Sequence, residues 1–309
     1  MKGAARWKYR VAGGLVPLAR TYVRFAPFGS GKRAFWTRVV DPYLAWHPHR
    51  FVARTVFGSR IAGDTRDILQ QYIYYFGVWE PHLTDWIGRR LAPGDAFVDV
   101  GANIGYFSLL ASKLVGESGR VVAIEPSPTI FGVLASNLAR NRAHNVRAVR
   151  VAASDSTGML RLFQGPDSNL GRTTVLADEG FEFACMVKAA PLGAILRAEE
   201  IRAARVIKID VEGAEWSVVA GMAPLLNAFR SDLEIVVEVN AERLARQGKR
   251  PEDLLAIFRD SGFHAYTLEN DYSPLSYLAP YTRKRPERLR VPIERQADLV
   301  FSRQEAEVL

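Results

Sequence analysis

The sequence predicts an α/β protein built on a mostly parallel sheet with helices on both faces. Three observations predict it. From Pro81 onward, short apolar runs alternate with segments of helical periodicity. A glycine-bearing turn, Gly101 to Gly105, joins the first of those runs to a helix. The 309 residues, 48% hydrophobic and 24% charged, suffice to bury one large core, with at most an appendage beside it.

The elements follow in order. Leu83, Trp86, Ile87 and Leu91 recur at helical spacing after Pro81, and "APGD" (Ala92 to Asp95) ends that helix in a turn. "AFVDV" (Ala96 to Val100) is the first strand. Phe107, Leu110 and Leu114 mark a helix after Gly105, which stops in "GESG" (Gly116 to Gly119). "RVVAIE" (Arg120 to Glu125) is a second strand; Ser127 then reads as the N-cap, and Pro128 as a first-turn residue, of a helix carrying Phe131, Leu134 and Leu138. "VRAVRVAAS" (Val146 to Ser154) is a third strand. Residues 156 to 200 are less regular, with a hairpin expected around "GPDSNLG" (Gly165 to Gly171). "ARVIKIDVEG" (Ala204 to Gly213) is a fourth strand followed by a helix through Val218, Val219 and Met222, and "LEIVVEVN" (Leu233 to Asn240) is a fifth. "PEDLLAIFRDSG" (Pro251 to Gly262) is a helix, and "FHAYTL" and "ADLVFS" complete the sheet across a long polar connection. No internal repeat is present.

In such a sheet, ligands sit beyond the carboxyl ends of the strands, where strand order reverses. The turn "DVGANIG" has its glycines at Gly101 and Gly105 with Asn103 between them, a G-x-x-x-G instead of the G-x-G-x-x-G of a dinucleotide site. A pyrophosphate needs very close backbone approach at the second glycine; a ligand without phosphate tolerates a side chain there, and Asn accepts left-handed angles. The turn is therefore expected to hold a nucleoside lacking phosphate. Glu125 ends the second strand 20 residues after Gly105, the distance at which a carboxylate grips ribose hydroxyls. Asp155 ends the third strand, where it would accept from an adenine amino group. Asp99 could instead cap the turn, and Glu125 the following helix. Together, three acids at matched strand ends repel the phosphates of NAD and suit a positively charged ligand. S-adenosylmethionine, an adenosine bearing a sulfonium and an ammonium, meets each requirement.

Strand alternation places Lys208, Asp210 and Glu212 on one side of "KIDVEGAE". For Lys208 an ion pair with Asp210 is expected, and for Glu215 a capping contact reaching back along the chain. The catalytic bases expected for a hydroxyl acceptor are Asp210, Glu212 and Glu238, in that order. A divalent cation held by Asp210, Glu238 and Asn240 is the less favoured arrangement, because no histidine joins the set. His264, near the start of a strand, reads as a core or surface residue.

"DVGANIGYFS", "IEPSP", "AASD", "IKIDVEGAE" and the lead-in "GVWEP" together resemble the FkbM-type S-adenosylmethionine-dependent methyltransferase family, from about Gly77 to Ser302. The resemblance implies the class I methyltransferase (Rossmann-like) fold, with seven strands of which the last is antiparallel. It also implies O-methylation of sugar, polyketide or lipid-linked hydroxyls. The cofactor-binding set it implies is Glu80, Asp99, Gly101, Asn103, Gly105, Glu125 and Asp155. One departure is Gly193 in "PLGAIL", where members resembling this chain often carry an acid.

Charge is unevenly spread. Residues 1 to 60 hold twelve Lys or Arg against the single acid Asp41, a net +11, so the other 249 residues carry −3 of the total +8. The basic segment is interleaved with aromatics such as Trp7, Tyr22, Phe25, Trp36 and Trp46. Two readings stand: a peripheral contact with an anionic membrane or acidic partner, and a helical extension packed on the main domain. Residues 1 to 70 are accordingly assigned to a basic N-terminal extension and 71 to 309 to the methyltransferase domain. The longest early apolar run, Val11 to Ala19, is about half a membrane span and lacks a prompt cleavage site. The single Cys185 excludes a disulfide scaffold. A cytoplasmic location is expected, peripheral at the inner face of the membrane under the first of these readings, with no nucleic-acid partner. "YTRKRPERLR" (Tyr281 to Arg290) is a solvated charge run or a flap over an acidic acceptor. The competing functions are a nicotinamide-dependent dehydrogenase, which needs a tighter glycine loop, and a non-catalytic membrane-surface adaptor, which leaves the cofactor carboxylates unexplained.

Overall fold

Turn residues and caps set most boundaries in the computed structural model, which describes residues 2–27, 29–45, 47–165, 173–175 and 181–309. The chain begins with α1 (Lys2–Phe25) and α2 (Lys32–Phe35), which continues into the wide helical turns Trp36–Leu44. A hairpin follows, β1 (Arg50–Arg54) paired antiparallel with β2 (Arg60–Asp64). Then come α3 (Ile68–Phe76), capped by the Asp67 carboxylate, which accepts from Gln70 N–H at 3.0 Å, and α4 (Pro81–Arg90). The hairpin adds strands to the helical extension expected for this segment, and residue 70 falls inside α3. Val16, Val23, Trp36, Leu44, Phe51 and Ile61 bury into the same core as Ile73, Trp86 and Phe97, so packing is continuous across residue 70.

The sheet elements alternate as the sequence indicates: β3 (Ala96–Val100), α5 (Tyr106–Val115), β4 (Arg120–Ile124), α6 (Pro128–Arg140) and β5 (Val146–Val149). Ser127 caps α6, its Oγ accepting from Ile130 N–H. The expected third strand then breaks: β6 (Ala152–Ala153) leaves the main sheet and joins a second one with β7 (Gly158–Gln164), β8 (Thr173–Thr174) and β9 (Glu182–Ala190). β7 and β9 pair antiparallel, whereas the turn expected at Gly165 to Gly171 lies, beyond Gly165, outside the described residues. The chain continues through α7 (Leu192–Ile195), α8 (Ala198–Ala203), β10 (Ala204–Ile209), α9 (Glu215–Met222), β11 (Glu234–Asn240), α10 (Ala241–Arg246), α11 (Pro251–Asp260), β12 (His264–Leu268), α12 (Pro274–Tyr277), β13 (Glu287–Arg288) and β14 (Gln296–Ser302).

The main sheet runs β13-β12-β14-β11-β10-β3-β4-β5. β5, β4, β3, β10 and β11 are mutually parallel, and β14 enters antiparallel between β11 and β12. This is the seven-stranded class I arrangement, with the two-residue β13 as an added edge. One face buries Phe97, Val121, Val206 and Val236 under α4, α5 and the N-terminal elements; the other buries Val98, Ile124, Ile207 and Val237 under Val218, Met222, Leu254 and Phe258 of α9 and α11. Strands buried on both faces read as continuous apolar runs, which is why these were visible in the sequence. From β3 the chain builds outward to β5, then returns to β10 on the other side. Strand order thus reverses between β3 and β10, and a crevice opens there.

Candidate active site

A cavity of about 370 Å³ occupies this crevice, within the usual range of small-molecule sites. Its floor is the turn after β3. Gly101 has φ +84°, and a Cβ there would stand 1.8 Å from the Asp210 carbonyl, so only glycine lets the turn close against the end of β10. Asn103 adopts φ +49°, the left-handed angle its identity favours, and its Oδ1 accepts from Ile104 N–H. At Gly105 (φ +92°) a Cβ would meet Leu134 at 2.7 Å. The turn's N–H groups at Gly101 and Ala102 both donate to the Ile124 carbonyl, tying it to β4.

Glu125 stands at the end of β4 with each oxygen held by one backbone N–H, Asn103 at 3.1 Å and Ser127 at 2.9 Å. Each oxygen keeps a second acceptor site. Burial pushes this carboxyl up to about 7, against the opposing pull of the two N–H groups. Glu80, before Pro81, is held at φ +42°; its carboxylate accepts from Tyr272 Oη at 3.0 Å, while its N–H donates to Tyr277 Oη. Burial, then Asp298, pushes Glu80 up to about 8, with Lys208 opposing.

Asp210, Glu212 and Glu238 all reach the cavity. Their partners differ. Asp210 is paired with Lys208 at 2.8 Å, the contact expected from the strand alternation. Burial disfavours that ammonium, but Asp210, Asp99 and Glu80 together hold its pKa above the ordinary value. Glu212, at φ +52°, pairs with Arg243 at 2.5 Å. Glu238 accepts from the neutral amide of Gln296, with Arg243 more distant at 3.9 Å, and burial raises its carboxyl well above the usual range. The Glu215 carboxylate accepts from Gly213 N–H at 2.9 Å, a local capping contact. His264 approaches Arg288 at 2.8 Å, away from the cavity.

Two expected cofactor residues sit elsewhere. Asp99 is buried beneath the turn, not on the cavity wall: its Oδ2 accepts from Ser108 Oγ at 2.6 Å, and β3 register sets it beside Lys208. It supports the site from below. Asp155 is exposed, near Ser156 Oγ, because the chain leaves the main sheet after Val149; Ala152 and Ala153 line the cavity in its place. Asn240 Oδ1 caps α10, accepting from Arg243 N–H at 3.1 Å, so that oxygen is already engaged. Among the described residues no group of three or more His, Cys, Asp or Glu is arranged to hold a metal. Gly193 packs on Leu225 and lines no part of the cavity. The residues unmarked by any motif are Tyr272, Gln296, Arg243 and the Asp67 to Leu69 edge. Trp79 was visible only through "GVWEP".

A family profile described as the Methyltransferase FkbM domain matches residues 99–265, more than half of the chain. The chain belongs to the FkbM methyltransferase family. Methyltransferase sdnD of Sordaria araneosa is 30% identical over 212 residues, covering 59% of this chain and 79% of that protein. The 31-O-demethyl-FK506 methyltransferase FkbM of Streptomyces tacrolimicus is 33% identical over 165 residues, covering 44% and 62%. The hexuronic acid methyltransferase AglP of Haloferax volcanii is 28% identical over 184 residues, covering 57% and 72%. As an S-adenosylmethionine-dependent FkbM methyltransferase, the chain needs a phosphate-free nucleoside site beside a place for positive charge. The glycine turn, Glu125 and the acid-rich wall fit that ligand.

The raised carboxyls make a signed prediction. Glu125 and Glu80 keep their protons in the folded state to about 7 and 8, above the ordinary 4.5, so the free protein binds more protons than the unfolded chain across that window. Their contribution to stability is complete below about 4.5 and is lost as pH rises through 7 to 8. A bound cation and ribose hydroxyls favour the ionised forms. Thermal unfolding is expected to show the ligand-free Tm falling from pH 5 to 8, while the Tm increase produced by S-adenosylhomocysteine grows over the same range. An increase that shrinks with pH contradicts the assignment of these two acids.

Proposed function

We propose that this methyltransferase acts on a hydroxyl of a sugar, polyketide or lipid-linked acceptor, on the cytoplasmic side, with Glu238 as the general base. The observation that supports this choice of base most is the contrast in partners: Asp210 and Glu212 each hold a cation in close contact, whereas Glu238 is held by a neutral amide and lies 3.9 Å from Arg243. A carboxylate held by a cation is a poor proton acceptor, and one raised by burial is better matched to neutral pH. This reading puts Glu238 ahead of Asp210, which comes first on sequence alone.

When bound, S-adenosylmethionine supplies an electrophilic methyl carbon beside a sulfonium. Glu125 accepts from the ribose hydroxyls, and the backbone at Gly101 and Asn103 allows close approach along the turn. Glu80 and Asp210, flanking Lys208, provide negative charge for the ammonium end. Glu238, steadied by Gln296, takes the acceptor's hydroxyl proton as the oxygen attacks in line. Trp79 and Tyr272, with ring centroids 5.6 Å apart, wall the site and exclude water. No oxyanion hole is required, because the transfer removes charge instead of creating it.

The 31-O-demethyl-FK506 methyltransferase relative supports a hydroxyl acceptor, and the hexuronic acid methyltransferase relative supports a sugar-type small molecule. The test is transfer of a labelled methyl group to a panel of sugars and polyketide alcohols, followed by mild alkali. Label retained as an alkali-stable ether supports O-methylation of a hydroxyl. Label released by alkali marks an ester, and would move the reading to carboxyl methylation.

A further inference from the structure

The N-terminal elements share one support. Arg20 Nε of α1 donates to the Tyr74 carbonyl at 2.8 Å, Trp36 meets Tyr75 edge-on at 5.4 Å, and Phe51 of β1 lies 4.8 Å from the Tyr74 ring. All three therefore dock on α3, and their opposite faces turn outward. Those faces carry an unusual mixture. α1 buries Val16, Ala19 and Val23 but leaves Leu18 67% and Phe25 68% exposed. α2 presents Arg33, and the turns after it bury Trp36, Val40 and Leu44 and present Arg38 and Tyr43, the last 72% exposed. β1 alternates inward Phe51 and Ala53 with outward Arg50, Val52 and Arg54.

We infer that this outward face docks on an anionic lipid bilayer, its exposed apolar side chains inserting among the headgroups while the arginines pair with lipid charge. Charge complementarity selects the occupant. Between residues 14 and 64 the only acids are Asp41 and Asp64, and Asp64 is taken up by Arg66 at 2.9 Å. Protruding apolar residues separated by arginines suit an interface where each head reaches lipid phosphate and each stem reaches acyl chain. A protein partner would be met by a flatter, contiguous apolar patch. Among the described residues no helix is long and apolar enough to cross a membrane, so the contact is peripheral. The inference stands independently of the methyl-transfer reading.

The test is sedimentation of the full chain with vesicles of mixed phosphatidylglycerol and phosphatidylcholine, or of phosphatidylcholine alone, at low and high salt. Binding to the anionic vesicles only, weakening as salt screens it, is expected. Each arginine near the surface contributes roughly fivefold to partitioning. The variant R33S/R38S/R50S/R54S should therefore bind at least about 25-fold more weakly if half of its sites face lipid. L18S/F25S should also lose binding. Both variants replace exposed residues, so unchanged thermal unfolding and unchanged S-adenosylhomocysteine binding serve as controls. Equal binding of wild type and variants, or no preference for anionic vesicles, overturns the inference. Retention on duplex RNA without sedimentation on vesicles also overturns it, in favour of a nucleic-acid contact.

Discussion

Glu125→Ala is expected to remove most S-adenosylmethionine binding while leaving a folded protein. The side chain does two things at once. It offers its remaining acceptor sites to the ribose, and charge-assisted bonds of this kind contribute about 1.5 to 3 kcal/mol each. It also fixes the turn, since Asn103 N–H and Ser127 N–H both donate to it. Truncation leaves those two groups without their acceptor and frees Asn103 from its left-handed position. Two lost ribose contacts alone correspond to a weakening of two orders of magnitude or more. Calorimetric titration of the variant with S-adenosylhomocysteine, alongside circular dichroism to verify folding, reads the effect. An affinity within a fewfold of wild type would show that Glu125 is only a cap for the turn and α6.

Glu238→Gln is expected to show the opposite split, with cofactor affinity nearly unchanged and turnover reduced by about 10² to 10⁴, the usual worth of a positioned general base. Gln has the shape of Glu but takes no proton near neutral pH. The same measurement on Asp210→Asn separates the two candidates. Because Asp210 neutralises the buried Lys208, its replacement should weaken cofactor binding as well as turnover. If Asp210→Asn alone abolishes turnover with affinity intact, while Glu238→Gln stays near wild-type rate, the base is Asp210 and the partner argument fails. A bell or plateau in the pH dependence of turnover that disappears in Glu238→Gln would add independent support.

The parts of this site that were legible in the sequence are those whose causes are local. Gly101 and Asn103 are required by backbone angles within the turn itself, and Ser127 with Pro128 is a cap signal complete in two residues. The breaks come where distant pairing decides. Nothing in "VRAVRVAAS" separates Val146–Val149 from Ala152–Ala153; the division arises because Ala152 and Ala153 find Ala189 and Ala190 in another sheet, which carries Asp155 away from the cavity. Tyr272 lies in a connection without periodicity, and where it meets Glu80 its own carbonyl accepts from Tyr72, 200 residues earlier, and its ring packs on Trp79. The hairpin at residues 50–64 did have a local pattern, the alternation Arg50 to Arg54, but its arginines dominated the reading of that segment as a charged extension. The Lys208–Asp210 pair follows from strand alternation, yet the place of Lys208 on the cavity wall depends on β10 lying beside β3, a fact of topology.

The central claim is that the crevice between β3 and β10 holds a positively charged, phosphate-free adenosine ligand. Isothermal titration of the full chain with S-adenosylmethionine, S-adenosylhomocysteine and NAD tests it most directly. Saturable one-to-one binding of the first two, strengthening from pH 6 to 8, with no heat from NAD, is the predicted result. Binding of NAD, or a folded protein that binds neither S-adenosyl compound, would contradict it.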